Sequence, residues 1–206
     1  QAAARNWAAA IPAYEKALKL APNASDLAVK LHSVQLVAQK KREADALAAS
    51  WLRTHPKDVT FILYMGDRAV AGNDLNAAAG HYQKALDLQP NNPLTLNNLA
   101  WVAGKQGRKD ALSLVEKADK LAPNNPAILD TWAMLLSSAN QHERALEMQK
   151  KVVQLQPQVL EFKLNLAKIQ IKAGNKDAAR ALLDELSAAG DRFSAQAEVD
   201  RLKKTL

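Results

Sequence analysis

The feature that most constrains this chain is a spacing. Pro22, Pro56, Pro90, Pro123 and Pro157 lie 34, 34, 33 and 34 residues apart, so one unit recurs at a period typical of stacked helix pairs. A unit that short cannot bury an apolar face alone and must stack on its neighbours. The sequence therefore describes an array that works through a surface. Function is to be sought on a face, not in a pocket built around a nucleophile.

Each unit reads as two antiparallel helices, because apolar residues recur three and four positions apart on either side of a short polar turn. Leu96, Leu99, Ala100 and Ala103 form one stripe, and Ala111, Leu114, Val115 and Ala118 form the next. Between them Gly107 follows Lys105 and Gln106, as a left-handed residue does at a helix end. Asn92-Pro93 and Asn125-Pro126 set a capping residue before a proline at the first helical position. Gly72, Gly107 and Gly174 are read as the intervening turns, with Asn73 or Asp74 and Asn175 capping the helices that follow. The 33-residue interval predicts a shortened turn near 108–110. Composition agrees: the chain is 48% hydrophobic but only 5% aromatic, which favours closely packed helices over strands.

Small residues recur where paired helices must approach closely. They are Gly66, Ala100, Ala133 and Ala167 in first helices, and Ala10, Ala44, Ala78, Ala111, Ala145 and Ala179 in second helices. Tyr14 and Tyr82 precede Ala17 and Ala85, then Pro22 and Pro90. With these columns, nearly the whole chain resembles the tetratricopeptide-repeat family. The resemblance implies an all-α solenoid of antiparallel helix pairs forming a right-handed superhelix with a C-terminal capping helix. Its expected units are a partial repeat at 1–24, repeats at 25–58, 59–92, 93–125, 126–159 and 160–192, and a cap at 193–206. That makes about twelve helices in a single array. Trp51, His32 and Lys163 depart from the family pattern and predict altered packing. Asp191 stands where a proline is expected, and Phe193 to Leu206 reads as one more amphipathic helix.

A narrower resemblance covers 94–193, through Leu96-Asn97-Asn98-Leu99-Ala100-Trp101, Leu121-Ala122-Pro123-Asn124-Asn125-Pro126, Ile128-Leu129-Asp130-Thr131-Trp132 and Ala173-Gly174-Asn175-Lys176-Asp177-Ala178-Ala179-Arg180. This stretch is similar to the C-terminal region of the tetratricopeptide lipoprotein of bacterial PEP-CTERM, exosortase and exopolysaccharide systems. It implies the bacterial cell envelope or periplasm, with the cytoplasm left open. Gln1 enters the repeat about a third of the way through the unit, so an array continuing upstream is expected. Residues 1–7 lack the basic start and apolar stretch of a signal peptide, and no run of about 18 apolar residues occurs. Membrane insertion by this segment is not expected.

Charge and motif content narrow the chemistry. The formal charge is +7, from 28 Lys and Arg against 21 Asp and Glu, but the signs are interspersed and no basic stripe marks a nucleic-acid partner. With no cysteine, thiolate metal sites and thiol catalysis are excluded within the segment. His32, His55, His81 and His142 are too far apart for a local metal motif and are read as surface or turn residues. Gly104-Lys105-Gln106-Gly107 lacks phosphate-loop spacing and reads as helix termination. No nucleophile motif is assembled, so neither enzymatic activity nor a cofactor is expected.

What remains is the concave wall that the resemblance assigns mostly to first helices. Its candidate partner-binding residues are Tyr64, Asp67, Asn97, Asn98, Trp101, Lys105, Asp130, Thr131, Met134, Asn165, Lys168 and Lys172. Trp101 either anchors a partner or packs between helices. Asn97 and Asn98 either hold a peptide backbone or tie one helix to the next. Lys105, Lys168 and Lys172 could form an anion patch. Trp132 falls on the core face of its helix, with Leu129 and Leu136. The paired lysines and asparagines of the family's carboxylate-gripping branch are absent, their places taken by Val29, Ser33, Leu63 and Asp67. A protein or peptide partner is expected, with an anionic or polar polysaccharide as the alternative.

Overall fold

The computed structural model describes residues 7–206, apart from the side chain of Asp191. The first residues of the partial repeat, 1–6, and the side chain at the missing-proline position lie outside that description. Among the described residues there are twelve α-helices and no strands. They fall into two compact units divided between Pro90 and Asn91.

The first unit contains α1 (Trp7–Leu20), α2 (Ser25–Val37), α3 (Lys41–Thr54), α4 (Val59–Ala71) and α5 (Leu75–Leu88). Here α2 pairs with α3 and α4 with α5, α1 packs on α2, and the two first helices α2 and α4 touch. The second unit contains α6 (Pro93–Lys105), α7 (Ala111–Leu121), α8 (Pro126–Ser138), α9 (His142–Leu155), α10 (Leu160–Lys172), α11 (Lys176–Ser187) and α12 (Gln196–Lys204). Its first helices α6, α8 and α10 pack side by side, and each is joined to its own second helix.

Every first helix, from α2 to α10, is 13 residues long, and each ends in the same way. The second residue beyond it is left-handed: Gln39, Asn73, Gly107, Asn140 and Gly174. The amide after that residue reaches back to a carbonyl five residues earlier, as from Lys40 to Gln35 and Asp74 to Ala69, at 2.8 Å each. These bonds are Schellman closures, which satisfy carbonyls the helix leaves open. At 72–73 the left-handed residue is Asn73, not Gly72, whose φ is −84°. Asp74 is the cap there, accepting from the Ala77 amide at 2.9 Å. Asn92 and Asn125 cap as expected, accepting from Thr95 and Ala127 at 3.0 Å each. Asn175 does not cap: its amide donates to Gln170 Oε1 at 2.8 Å.

The 33-residue interval is accommodated differently from the expectation. The turn 106–110 is longer than its counterparts, and α7 is shortened to 11 residues where α5 and α9 have 14. Arg108 holds the Asp110 carboxylate through its Nε at 3.0 Å and through Nη2. The guanidinium keeps that carboxyl below the usual range, and Asp110 makes no side-chain cap to α7.

The small-residue columns are buried as their spacing requires. Ala44, Ala78, Ala100, Ala133, Ala145, Ala167 and Ala179 have no exposed surface. A Cβ placed on Gly66 would stand 2.5 Å from Tyr82 Cε1, so only glycine lets α4 lie against this buried ring. Gly104 is not part of the turn but lies inside α6, where a Cβ would collide with Leu135 of α8. Two of the departures from pattern, Trp51 and His32, pack around one aromatic cluster. Trp51 is buried, stacks on His55 at 4.0 Å and packs against Phe61. Its indole N–H donates to Asp58 Oδ2 at 2.7 Å, while Asp58 Oδ1 caps α4 through the Phe61 amide. Burial alone would push Asp58 up, but Ser25, Trp51, the Phe61 amide and nearby His55 hold it below its ordinary value. Contrary to the surface reading, His32 is buried, edge-on to Phe61, and shares a 2.7 Å hydrogen bond with Tyr64 Oη. Burial and Arg68 depress its basicity. Lys163 is taken up by an ion pair with Glu185 of α11 at 2.5 Å.

At the C-terminal end, a single 3-10 turn (Gly190–Arg192) precedes Phe193, which is buried outside any helix. The last helix is therefore shorter than 193–206. Val199 of α12 joins Phe193 against Leu164, Ala167, Leu183 and Leu186, so this face of the core is covered.

Candidate functional site

In the second unit the first helices keep a common register, so α6, α8 and α10 present rungs of side chains. The rung at the fifth and sixth helical residues is closed. Asn97 and Thr131 are only 8% and 7% exposed, which corrects the expectation that they face a partner. Thr131 satisfies its hydroxyl on the Ala127 carbonyl at 3.1 Å. Asp130 and Asn165 bind each other: the Asn165 amide donates to both Asp130 oxygens at 3.0 Å. Buried Gln149 of α9 donates to Asp130 Oδ1 at 2.6 Å and to the Phe162 carbonyl at 3.0 Å. Burial pushes the Asp130 carboxyl up, although these amides and Lys168 oppose the shift. This network ties α8, α9 and α10 together, the role considered earlier for Asn97 and Asn98.

The rungs at the ninth and thirteenth residues are open. They carry Trp101, Met134 and Lys168, then Lys105, Ser138 and Lys172. Trp101 is 37% exposed, which decides against its packing wholly between helices. The Lys105 ammonium sits 5.2 Å from the indole centroid, a cation–π contact that steadies the ring at the surface. Met134 and Lys168 are half-buried, and Lys105, Ser138 and Lys172 are exposed. Lys168 is held by Glu198 of α12 at 3.1 Å, which removes one member of the supposed anion patch. Asn98, the sixth residue of α6 and so a member of the lower rung, is half-buried.

Sequence reasoning missed three residues here. Leu94, 54% exposed at the second residue of α6, shares a helical face with Asn98 and Trp101, a signal that could have found it. Ser138 shares the register of Lys105 and Lys172. Glu198 could not have been found, because its contact depends on how α12 returns to α10.

Tyr64 and Asp67 belong to the first unit, where each already has an internal partner. Tyr64 is bound to His32, and burial pushes its phenol up. Asp67 accepts from the buried Tyr82 hydroxyl at 2.7 Å.

A cleft of about 940 Å³ lies elsewhere in the second unit, against α7, α8 and α9. Leu129, Trp132, Leu146 and Met148 line it, with Glu147 and Lys151 among its charged residues. Trp132 thus packs on the core only in part. Among the described residues no group of three or more His, Asp or Glu is placed to hold a metal ion. No described helix is long and apolar enough to cross a membrane.

Two family models match: one described as tetratricopeptide repeat over residues 136–204, the other as TPR repeat over residues 66–107. Over those residues the helix pairs are tetratricopeptide repeats. Small glutamine-rich tetratricopeptide repeat-containing protein 2 of Mycosarcoma maydis is 29% identical over 53% of this chain and 32% of its own length. Photosystem I assembly protein Ycf3 of Rippkaea orientalis is 32% identical over 39% of this chain and 56% of its own. The chain thus spans less than two thirds of either relative. Similar solved structures include a tetratricopeptide repeat protein from Parabacteroides merdae, with TM-score 0.77, 15% identity, and 91% of this chain and 75% of that one covered. PilW, described as a type IV pilus biogenesis factor, gives 0.72 at 20% identity, covering 84% and 81%. YrrB, described as having an unusual peptide-binding site, gives 0.64 at 19% identity, covering 96% and 100%. At these identities the likeness concerns the fold of the repeats alone.

Proposed function

We propose that this chain is a noncatalytic scaffold that holds an extended peptide, or such a segment of a partner protein, against the wall formed by α6, α8 and α10. The observation that carries this reading is Trp101, a large aromatic side chain left partly exposed on a wall of adjacent first helices and steadied there by Lys105. Burying such a ring under a partner contributes upward of ~2 kcal/mol. Exposed Leu94 adds apolar area along the same helix. Asn98 is placed to offer an amide to a peptide backbone.

The test is to select binders from a displayed peptide library and measure their affinities by fluorescence anisotropy. Trp101→Ala weakens the selected peptides by about 30-fold, the equivalent of ~2 kcal/mol, and Asn98→Ala by less. Unchanged affinity in both variants overturns the site.

The second reading, direct binding of an acidic or polar polysaccharide, draws on the same Trp101 and Lys105, since an aromatic face suits a sugar ring. It is disfavoured by the engagement of Lys168 with Glu198. Absence of binding to acidic polysaccharide at low ionic strength, where screening is weakest, removes it. The envelope sorting or exopolysaccharide-export setting is proposed from the sequence resemblance over 94–193 alone. An exosortase or polysaccharide-export cluster beside the gene would support it, and a neighbourhood without one would count against it.

A further inference from the structure

The open end of the wall is cationic. At the ninth and thirteenth residues of α6, α8 and α10 stand Trp101, Lys105, Met134, Ser138, Lys168 and Lys172, with no acidic side chain among them. Among the described residues neither Lys105 nor Lys172 pairs with a carboxylate, and Lys105 instead covers the Trp101 ring. Lys168 differs. Its ammonium lies 3.1 Å from Glu198 Oε1, and the side chain is 25% exposed. The acid it pairs with comes from α12, outside the helix pairs, while Asp130 of α8 acts on it through space.

Glu198 is placed there by the core. The next residue, Val199, is fully buried, and Phe193 is packed with it against Leu164 and Ala167 of α10. With Leu183 and Leu186 of α11 in the same cluster, these contacts seat α12 on α11 and bring its first turn within reach of Lys168, leaving the Glu198 side chain 38% exposed. One turn further on, Arg201 Nη2 stands 3.7 Å from the same Glu198 oxygen. Glu198 therefore has a second cation to fall back on if Lys168 is taken from it.

We propose, resting on the reading of this wall as a peptide-binding face, that Glu198 is a built-in competitor for an acidic peptide. It occupies Lys168 in place of a partner's carboxylate. When an acidic segment binds, the partner's carboxylate takes Lys168 and Glu198 turns to Arg201, with no proton or covalent bond exchanged. Apolar side chains of the segment cover Trp101 and Leu94, while further carboxylates meet Lys105 and Lys172. The occupant is thus acidic with interspersed apolar residues, and α12 sets how acidic it must be.

The test uses the full chain and two fluorescein-labelled peptides, one alternating Glu and Leu, the other alternating Gln and Leu. Glu198→Gln keeps the size and the buried neighbours of the side chain, and an unchanged melting temperature confirms that α12 stays docked. The variant binds the Glu–Leu peptide about two- to fivefold more tightly than wild type, the scale of a partly exposed ion pair, with no gain for the Gln–Leu peptide. Lys168→Met abolishes that gain when combined with Glu198→Gln. The proposal is overturned by an equal gain for both peptides, by no gain, by a gain that persists with Lys168→Met, or by no binding of the Glu–Leu peptide to either wild type or Glu198→Gln. Trp101→Ala separates the two levels. If it abolishes binding while Glu198→Gln changes nothing, the wall stands and the competitor falls. If it binds as wild type does, the wall itself falls and the competitor with it.

Discussion

Gly66→Ala isolates the close approach on which a repeat of this kind depends. A Cβ at this position meets Tyr82 Cε1 at 2.5 Å and Cδ1 at 2.9 Å. The ring cannot swing aside freely, because Tyr82 is 2% exposed and its hydroxyl is bound to Asp67 at 2.7 Å. Overpacking of this kind costs about 1–3 kcal/mol. Against it stands the gain of replacing a helical glycine by alanine, about 1 kcal/mol. Gly80, in α5 of the same helix pair, provides the control: it is exposed, and a Cβ there meets nothing within 4 Å. Gly80→Ala therefore receives the propensity gain alone. The two substitutions should differ by the steric cost, about 1–3 kcal/mol, with Gly66→Ala the less stable. Urea unfolding followed by circular dichroism measures both. Adding Tyr82→Leu removes the ring and most of the difference. Equal stability of Gly66→Ala and Gly80→Ala would refute the close approach and the small-residue column derived from it.

Two further substitutions test the turns and the buried network. Gln39 carries a side chain at φ 61°, so Gln39→Gly stabilises by about 1 kcal/mol in the same urea assay, and a loss of stability contradicts the Schellman closure. Asp130 has its carboxyl pKa raised by burial, so its protonated form is favoured on folding; the resulting contribution is full at low pH and fades as pH climbs through the folded-state pKa. Wild type therefore loses stability relative to Asp130→Asn as the pH rises from about 4, the ordinary carboxylate value, whereas a relative gain identifies a carboxylate held by charge instead.

The parts of the fold that could be read from the chain were those set by local repetition. Proline spacing, the alanine columns and the Asn-Pro steps depend on residues a few positions apart, and they reappear as helix ends, buried contacts and caps. What could not be read was set by neighbours distant in sequence. Gly72 and Asn73 are both able to adopt the left-handed turn, and only the position of the helix end selects Asn73. Asn175 is a good capping residue, but Gln170 engages its amide. The short interval between Pro90 and Pro123 predicts a shortened turn, but proline spacing alone does not tell turn from helix, and it is α7 that is short. The candidate wall shows the same division. Helical geometry placed Trp101 and Lys105 on one face, whereas closure of the lower rung required Gln149 and Asn165 to reach Asp130 from other helices. Pairing of Lys168 required α12.

The most direct measurement of where a partner binds is a nuclear magnetic resonance titration that follows the indole N–H signals. The chain has four tryptophans, and two of them provide internal references. The Trp51 indole is bonded to Asp58, and that of Trp132 is shielded from solvent. A library-selected peptide bound on the α6–α8–α10 wall shifts the Trp101 signal in proportion to occupancy and leaves those of Trp51 and Trp132 in place. A saturating peptide that moves Trp132 or Trp51 while Trp101 stays fixed would contradict the account.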